Sequence, residues 1–139
     1  MNAQPMPVRV ALLYGGRHHH IKVVQLLTYL AGETVEIKLD RATLCLPKQL
    51  AGCDLILFEA LGPINNEQEA ALHWLRAGNY APVVMLTTGI RSEQAIDGLI
   101  AGADAVIPLT TSHEVIVAHC QALMRRWRTL RFPASSTTH

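Results

Sequence analysis

The sequence predicts a doubly wound α/β domain, with one five-stranded parallel sheet covered on both faces by helices. Three observations predict it. Five short apolar segments alternate with segments whose apolar residues recur at helical spacing. The strand segments are apolar throughout rather than on alternate residues, as strands buried on both faces require. Strand ends carry breakers, and strand-crossover-strand units of this kind are right-handed, so they wind helices onto both faces. The 139 residues, 50% hydrophobic and 17% charged, suit a single domain with ample core.

The first strand, V-R-V-A-L-L over 8–13, stops at Tyr14-Gly15-Gly16. A helix follows over 21–30, with Val23, Leu26, Leu27 and Leu30 on one side. A second strand over 34–39 leads into a weak segment in which Pro47 opens a short helix through Leu50. The third strand, over 53–58, presents Glu59 at its carboxyl end and breaks at Gly62-Pro63. Asn66, with Glu69 three residues on, starts a helix through Arg76 that Gly78 stops. P-V-V-M-L-T over 82–87 is the fourth strand. Ser92 caps a helix with Ile96, Leu99 and Ile100 on one face, and 105–107 is a short fifth strand. The last helix starts at Thr111, with Glu114 completing a capping box, and runs to Arg131. Residues 1–7 form an arm and 132–139 a polar tail or the start of a linker. Five strands and five helices in this alternation give a flavodoxin-like (βα)5 domain over 8–131.

A formal net charge of +1 supplies no broad field for nucleic acid, so any charged partner must meet a local patch. Cys45, Cys53 and Cys120 are odd in number, contain no C-x-x-C pair and read as reduced thiols of a cytoplasmic protein. No apolar run reaches the ~18 residues of a membrane span, and 1–7 lacks the features of a signal peptide.

Three stretches, in order and properly spaced, carry a family resemblance. D-L-I-L-F-E-A-L-G-P (54–63), P-V-V-M-L-T-T-G (82–89) and G-L-I-A-G-A-D-A-V-I (98–107) resemble the receiver domain of two-component response regulators. In that family an aspartate stands where Glu59 is, a switch threonine where Thr87 is, and Gly-Ala-Asp is typical before the fifth strand. The resemblance implies a signalling domain whose chemistry needs an acidic pair for Mg²⁺, a phospho-accepting aspartate, a Ser/Thr and a lysine.

Most of that set is missing. The acidic pair falls on Tyr14 and Gly15, which offer no carboxylate to a hard cation. The acceptor position is Glu59, one methylene longer, with no metal to offset repulsion of an incoming phosphate. The lysine position is Leu109, and the family's Lys-Pro has become Pro108-Leu109, so a cis bond there is not assumed. The strand-five aromatic is Val106. Only Thr87 remains. The expectation is a domain without cofactor or metal, without phosphotransfer and without enzymatic activity. Glu59 then either imitates a phosphorylated aspartate or, the plainer reading, is a carboxylate tolerated at a solvated strand end.

Arg17-His18-His19-His20 opens the first helix where the family's metal pocket would lie. A helix start with histidines can hold an anion or a transition metal, but adjacent histidines point in different directions, and a polar helix start is the simpler reading. On the last helix Ile116, Cys120, Leu123, Trp127 and Leu130 follow helical spacing, with Arg125, Arg126, Arg128 and Arg131 crowding its end. Trp127 falls near the limit of what the sheet can cover and suits a partner surface. The sequence therefore reads as a pseudo-receiver: a phosphorylation-independent module that binds a signalling protein and itself. Its interface comprises Ile96, Ile100, Val106, Trp127 and Leu130. It touches neither membrane nor, by this chain alone, nucleic acid. The alternatives are the receiver half of a longer DNA-binding regulator and, least supported, a small-ligand or anion binder using 14–20.

Overall fold

The computed structural model describes residues 8–16, 19–30, 32–39, 50–61, 66–78, 81–88 and 92–131. Within them run β1 (Arg9–Tyr14), α1 (Ile21–Leu30), β2 (Glu33–Lys38), β3 (Leu55–Ala60), α2 (Asn66–Ala77), β4 (Val83–Thr87), α3 (Ser92–Ala101), β5 (Ala105–Pro108) and α4 (His113–Arg131). All five strands are parallel, in the order β2-β1-β3-β4-β5. The doubly wound fold is as the sequence predicts. Of the short helix expected from Pro47, only Leu50, buried, lies among the described residues.

Alternation along each strand divides the core in two. Ile56, Phe58 and Met85 pack with Leu72, Leu75 and Ala101 under α2 and α3. Val10, Leu12, Leu57 and Leu86 pack with Leu26, Ile116 and Cys120 under α1 and α4. Each such buried Leu or Ile contributes about 1.5–3 kcal/mol. Cys53 and Cys120 are free thiols inside this core, and burial pushes Cys120 up to about 12.

β3 and the last helix begin later than in the sequence reading. β3 starts and ends two residues later than expected, so Glu59 lies within the ladder, opposite Tyr14 of β1 and Leu86 of β4. The last helix is capped by Ser112 rather than Thr111: the Val115 N–H meets Ser112 Oγ at 3.4 Å and the Ile116 N–H meets its carbonyl at 3.1 Å. The apolar residues of α3 face outward, with Ile96 53%, Leu99 45% and Ile100 72% exposed. What α3 sets against the sheet is Gly98 and Ala101, and a Cβ on Gly98 would stand 2.5 Å from Met85 Cε and 3.0 Å from Val106 Cγ2. The helix has closed to backbone distance, which only small residues permit.

At the amino end of the sheet one device occurs twice. A-G-C-D (51–54) and A-G-A-D (101–104) each turn on a glycine with positive φ, +82° at Gly52 and +135° at Gly102. Each buries its third residue and uses the aspartate on the neighbouring strand. Asp54 accepts the Arg9 N–H at 2.9 Å and returns its own N–H to the Arg9 carbonyl at 2.8 Å. Asp104 does the same with Val83, at 2.7 and 2.8 Å. Each aspartate thus fixes the start of a strand and satisfies a backbone donor that the ladder leaves open.

Candidate functional site

In this strand order the chain changes direction between β1 and β3, and the crevice at the carboxyl ends of those strands is where open α/β sheets hold their functional groups. Here the crevice contains Tyr14, the start of α1, and Glu59.

Glu59 is 3% exposed, and both its oxygens are engaged. Oε1 accepts from His19 Nδ1 at 2.8 Å; Oε2 accepts the His20 backbone N–H at 2.9 Å. The strand end expected to be solvated is instead buried, with His19 and His20 hydrogen-bonded to its carboxylate. His19 reaches further: Nε2 meets Glu36 Oε1 on β2 at 2.8 Å. A carboxylate oxygen against each nitrogen favours the imidazolium, the form in which both nitrogens donate. Its pKa is raised above 6.5, chiefly by the hydrogen bond to Glu59, against an opposing desolvation, with Glu36 adding to the rise. Tyr14 stands edge-on to the ring, centroids 4.4 Å apart.

The neighbouring histidine does the reverse. His20 Nδ1 accepts the Lys22 N–H at 3.1 Å, and its carbonyl accepts from Val23 and Val24. His20 is thus the N-cap of α1, with an imidazole in place of the usual hydroxyl or carboxylate. The Lys22 ammonium donates to the Thr111 carbonyl, bridging α1 to the segment after β5. The histidine run thus splits its duties, one ring to an ion bridge and the next to a cap. His18 lies outside the described residues. Among the described residues no group of three His, Cys, Asp or Glu could hold a metal ion, and the two carboxylates around His19 sit on opposite ring nitrogens rather than around a common point.

The other positions singled out in the sequence are placed as follows. Tyr14 is half-buried and Gly15 exposed at the end of β1. Thr87 is buried at the end of β4, in register with Ala60 and Pro108. Leu109 is buried, and its N–H donates to the Thr87 carbonyl at 2.7 Å. No peptide bond among the described residues is cis. Ile96 and Ile100 stand out from α3, whereas Val106 is half-buried beneath it. Trp127 is half-buried against the α2 and α3 core, at the far end of the sheet from Glu59. There it lines a cleft of about 430 Å³ with Arg76, Pro82, Asp104 and Arg126. The Leu130 side chain lies outside the described residues. The sequence reading missed Glu36 and Lys22. Glu36 carried a signal, a carboxylate on the strand beside the crevice, but nothing local ties it to His19.

No protein-family model matches the sequence, and neither does any curated protein. Solved structures do. The chain is similar to the signal receiver domain of a putative LuxO repressor protein from Vibrio parahaemolyticus, at 14% identity and TM-score 0.70 over 94% of this chain and 99% of that one. It is similar to the receiver domain of the Francisella response regulator 1452, at 21% identity and TM-score 0.60 over 84% and 97%. The fold is that of a response-regulator receiver domain. A putative pilus assembly-related protein from Burkholderia pseudomallei has it too, at 14% identity and TM-score 0.66 over 86% and 90%. In this fold His19 and the His20 N–H meet the Glu59 carboxylate at the carboxyl ends of β1 and β3. No described helix is long and apolar enough to cross a membrane.

Proposed function

We propose that this chain is a degenerate member of the response-regulator receiver family, a pseudo-receiver that signals by protein contact and without phosphorylation. One observation carries the reading: the carboxylate at the acceptor position is buried and already holds two donors, His19 Nδ1–H and the His20 N–H. A carboxylate so engaged has no free oxygen with which to attack phosphorus, and Tyr14 and Gly15 supply no oxygen pair for Mg²⁺. Glu59 works as a fixed internal anion at the start of α1, joining the loop to the sheet. Thr87 is buried at the end of β4, and Leu109 puts carbon at the position that the family gives to lysine. Acetyl phosphate with Mg²⁺ is expected to leave the intact mass unchanged; stoichiometric, acid-labile addition of one phosphoryl group would sink the reading.

The contact surface of this proposal is the edge formed by α3, β5 and α4. Ile96, Leu99 and Ile100 give α3 an apolar outward face, flanked by exposed Glu93 and Asp97, and α4 carries exposed Arg125 and Arg126. In a two-fold pairing the acidic side of α3 meets the basic side of α4 around that apolar centre. We expect a weak homodimer, or a complex with a protein partner of matching surface, that forms without phosphate and loosens in salt. Sedimentation of the wild type beside Ile100→Glu, at low and high salt, checks it. Loss of association in the variant and in high salt is expected, and a species indifferent to both removes this surface.

A further inference from the structure

The crevice has a property that its closure alone does not require. One titratable ring joins three strands: Tyr14 of β1 packs on its edge, Glu36 of β2 takes one nitrogen and Glu59 of β3 the other. The two carboxylates are unlike. The Glu36 side chain is half exposed and has water to turn to; the Glu59 side chain is buried and has none. An imidazolium satisfies both. A neutral imidazole has one N–H and satisfies one.

We propose that His19 is a pH-operated strap: protonated, it ties the β1–α1 loop to both β2 and β3; deprotonated, it keeps Glu59 and releases Glu36. The remaining proton stays on Nδ1 because a buried carboxylate facing a lone pair would lose a charged hydrogen bond with no water to replace it, whereas Glu36 is rehydrated at once. The choice of tautomer is thus set by the difference in burial between the two glutamates. The inference builds on the reading of the crevice as filled by its own counter-ion, and adds that this filling has two states.

The direction follows from the charges around the ring. Glu59 and Glu36 both favour the protonated form, the first most strongly, while partial burial opposes it. His20 Nδ1 is turned to the Lys22 backbone N–H, which it accepts. The Lys22 ammonium is drawn off to the Thr111 carbonyl, and Lys38 lies exposed two residues beyond Glu36 on the same side of β2. The folded pKa is raised above 6.5, so the strap's contribution is fully present below that pH and is lost as pH rises through the folded value.

The test uses the full chain labelled with ¹⁵N, titrated from acid to alkaline pH while the His19 ring nitrogens are followed by long-range ¹H–¹⁵N correlation. The wild-type midpoint is expected above 6.5, with the neutral ring carrying its proton on Nδ1. Glu36→Gln, at an exposed position that leaves the core intact, should lower the midpoint by about half a pH unit. His19→Asn should abolish any pH step in the exchange protection of the His20 amide. A midpoint at or below 6.5, a neutral ring protonated on Nε2, or a Glu36→Gln midpoint equal to the wild type overturns the strap. Phosphoryl addition from acetyl phosphate would defeat the pseudo-receiver reading while leaving these titrations to stand by themselves.

Discussion

The two ends of β3 solve one problem with different chemistry. At its amino end Asp54 accepts the Arg9 N–H and lies 3.5 Å from the Arg128 guanidinium. At its carboxyl end Glu59 accepts the His20 N–H and pairs with His19. Each carboxylate stitches a neighbouring segment to the strand through a backbone donor and adds a side-chain cation. The cation at the amino end keeps its charge at every accessible pH, and its exposure makes the pair worth little. The cation at the carboxyl end is titratable and encloses a buried partner. The amino end is therefore scaffold held by fixed charge, and the carboxyl end is held by a group that titrates.

The largest effect expected from breaking this contrast lies in the scaffold. A Cβ at Gly102 would stand 2.8 Å from the Leu72 carbonyl oxygen, at φ +135°, whereas at Gly52 it would meet only Arg9 Nη1 at 3.7 Å. Gly102→Ala should cost about 3 kcal/mol or more and Gly52→Ala about 1–2 kcal/mol in denaturant unfolding. Equal losses would show that the two A-G-x-D turns are not distinguished by space. A smaller effect is expected from the carboxylates themselves. Glu59→Ala leaves the His20 N–H and one side of His19 without a partner and should cost about 2–3 kcal/mol. Asp54→Ala, at a half-exposed position where water replaces the acceptor, should cost about 1 kcal/mol. Urea titration of both variants sharpens the comparison, and a reversed order would assign the buried charge to the amino end.

Much of the fold was legible because it is written locally. β1, β4 and β5 are apolar runs with breakers, and α1 and α2 have unambiguous stripes, so their placement needed no distant information. The errors came where two local patterns compete. In 53–60 the apolar run begins at Cys53, but Gly52 and Asp54 make a turn of the first two residues, and the strand slides on until Glu59 is inside it. The repeated A-G-x-D was available as the signal and is plain only once Asp104 and Val83 are seen paired. On α3 the stripe of Ile96, Leu99 and Ile100 was read as a stripe, with Ile96 and Ile100 on a partner surface, and all three stand exposed. Periodicity shows that residues share a face but not which face is inward, and Gly98 and Ala101 leave little apolar mark of their own. The crevice was the least legible part. His19 and Glu59 are 40 residues apart in sequence, and only the β1–β3 register brings them together.

Gly98 has a consequence for how this surface can change over generations. With Met85 Cε 2.5 Å and Val106 Cγ2 3.0 Å from where a Cβ on Gly98 would stand, enlarging this inward position of α3 obliges those side chains to move. The solvent side of α3, which carries Ile96, Leu99 and Ile100, is free of that constraint. Single substitutions there change the surface that α3 presents without touching the packing at Gly98.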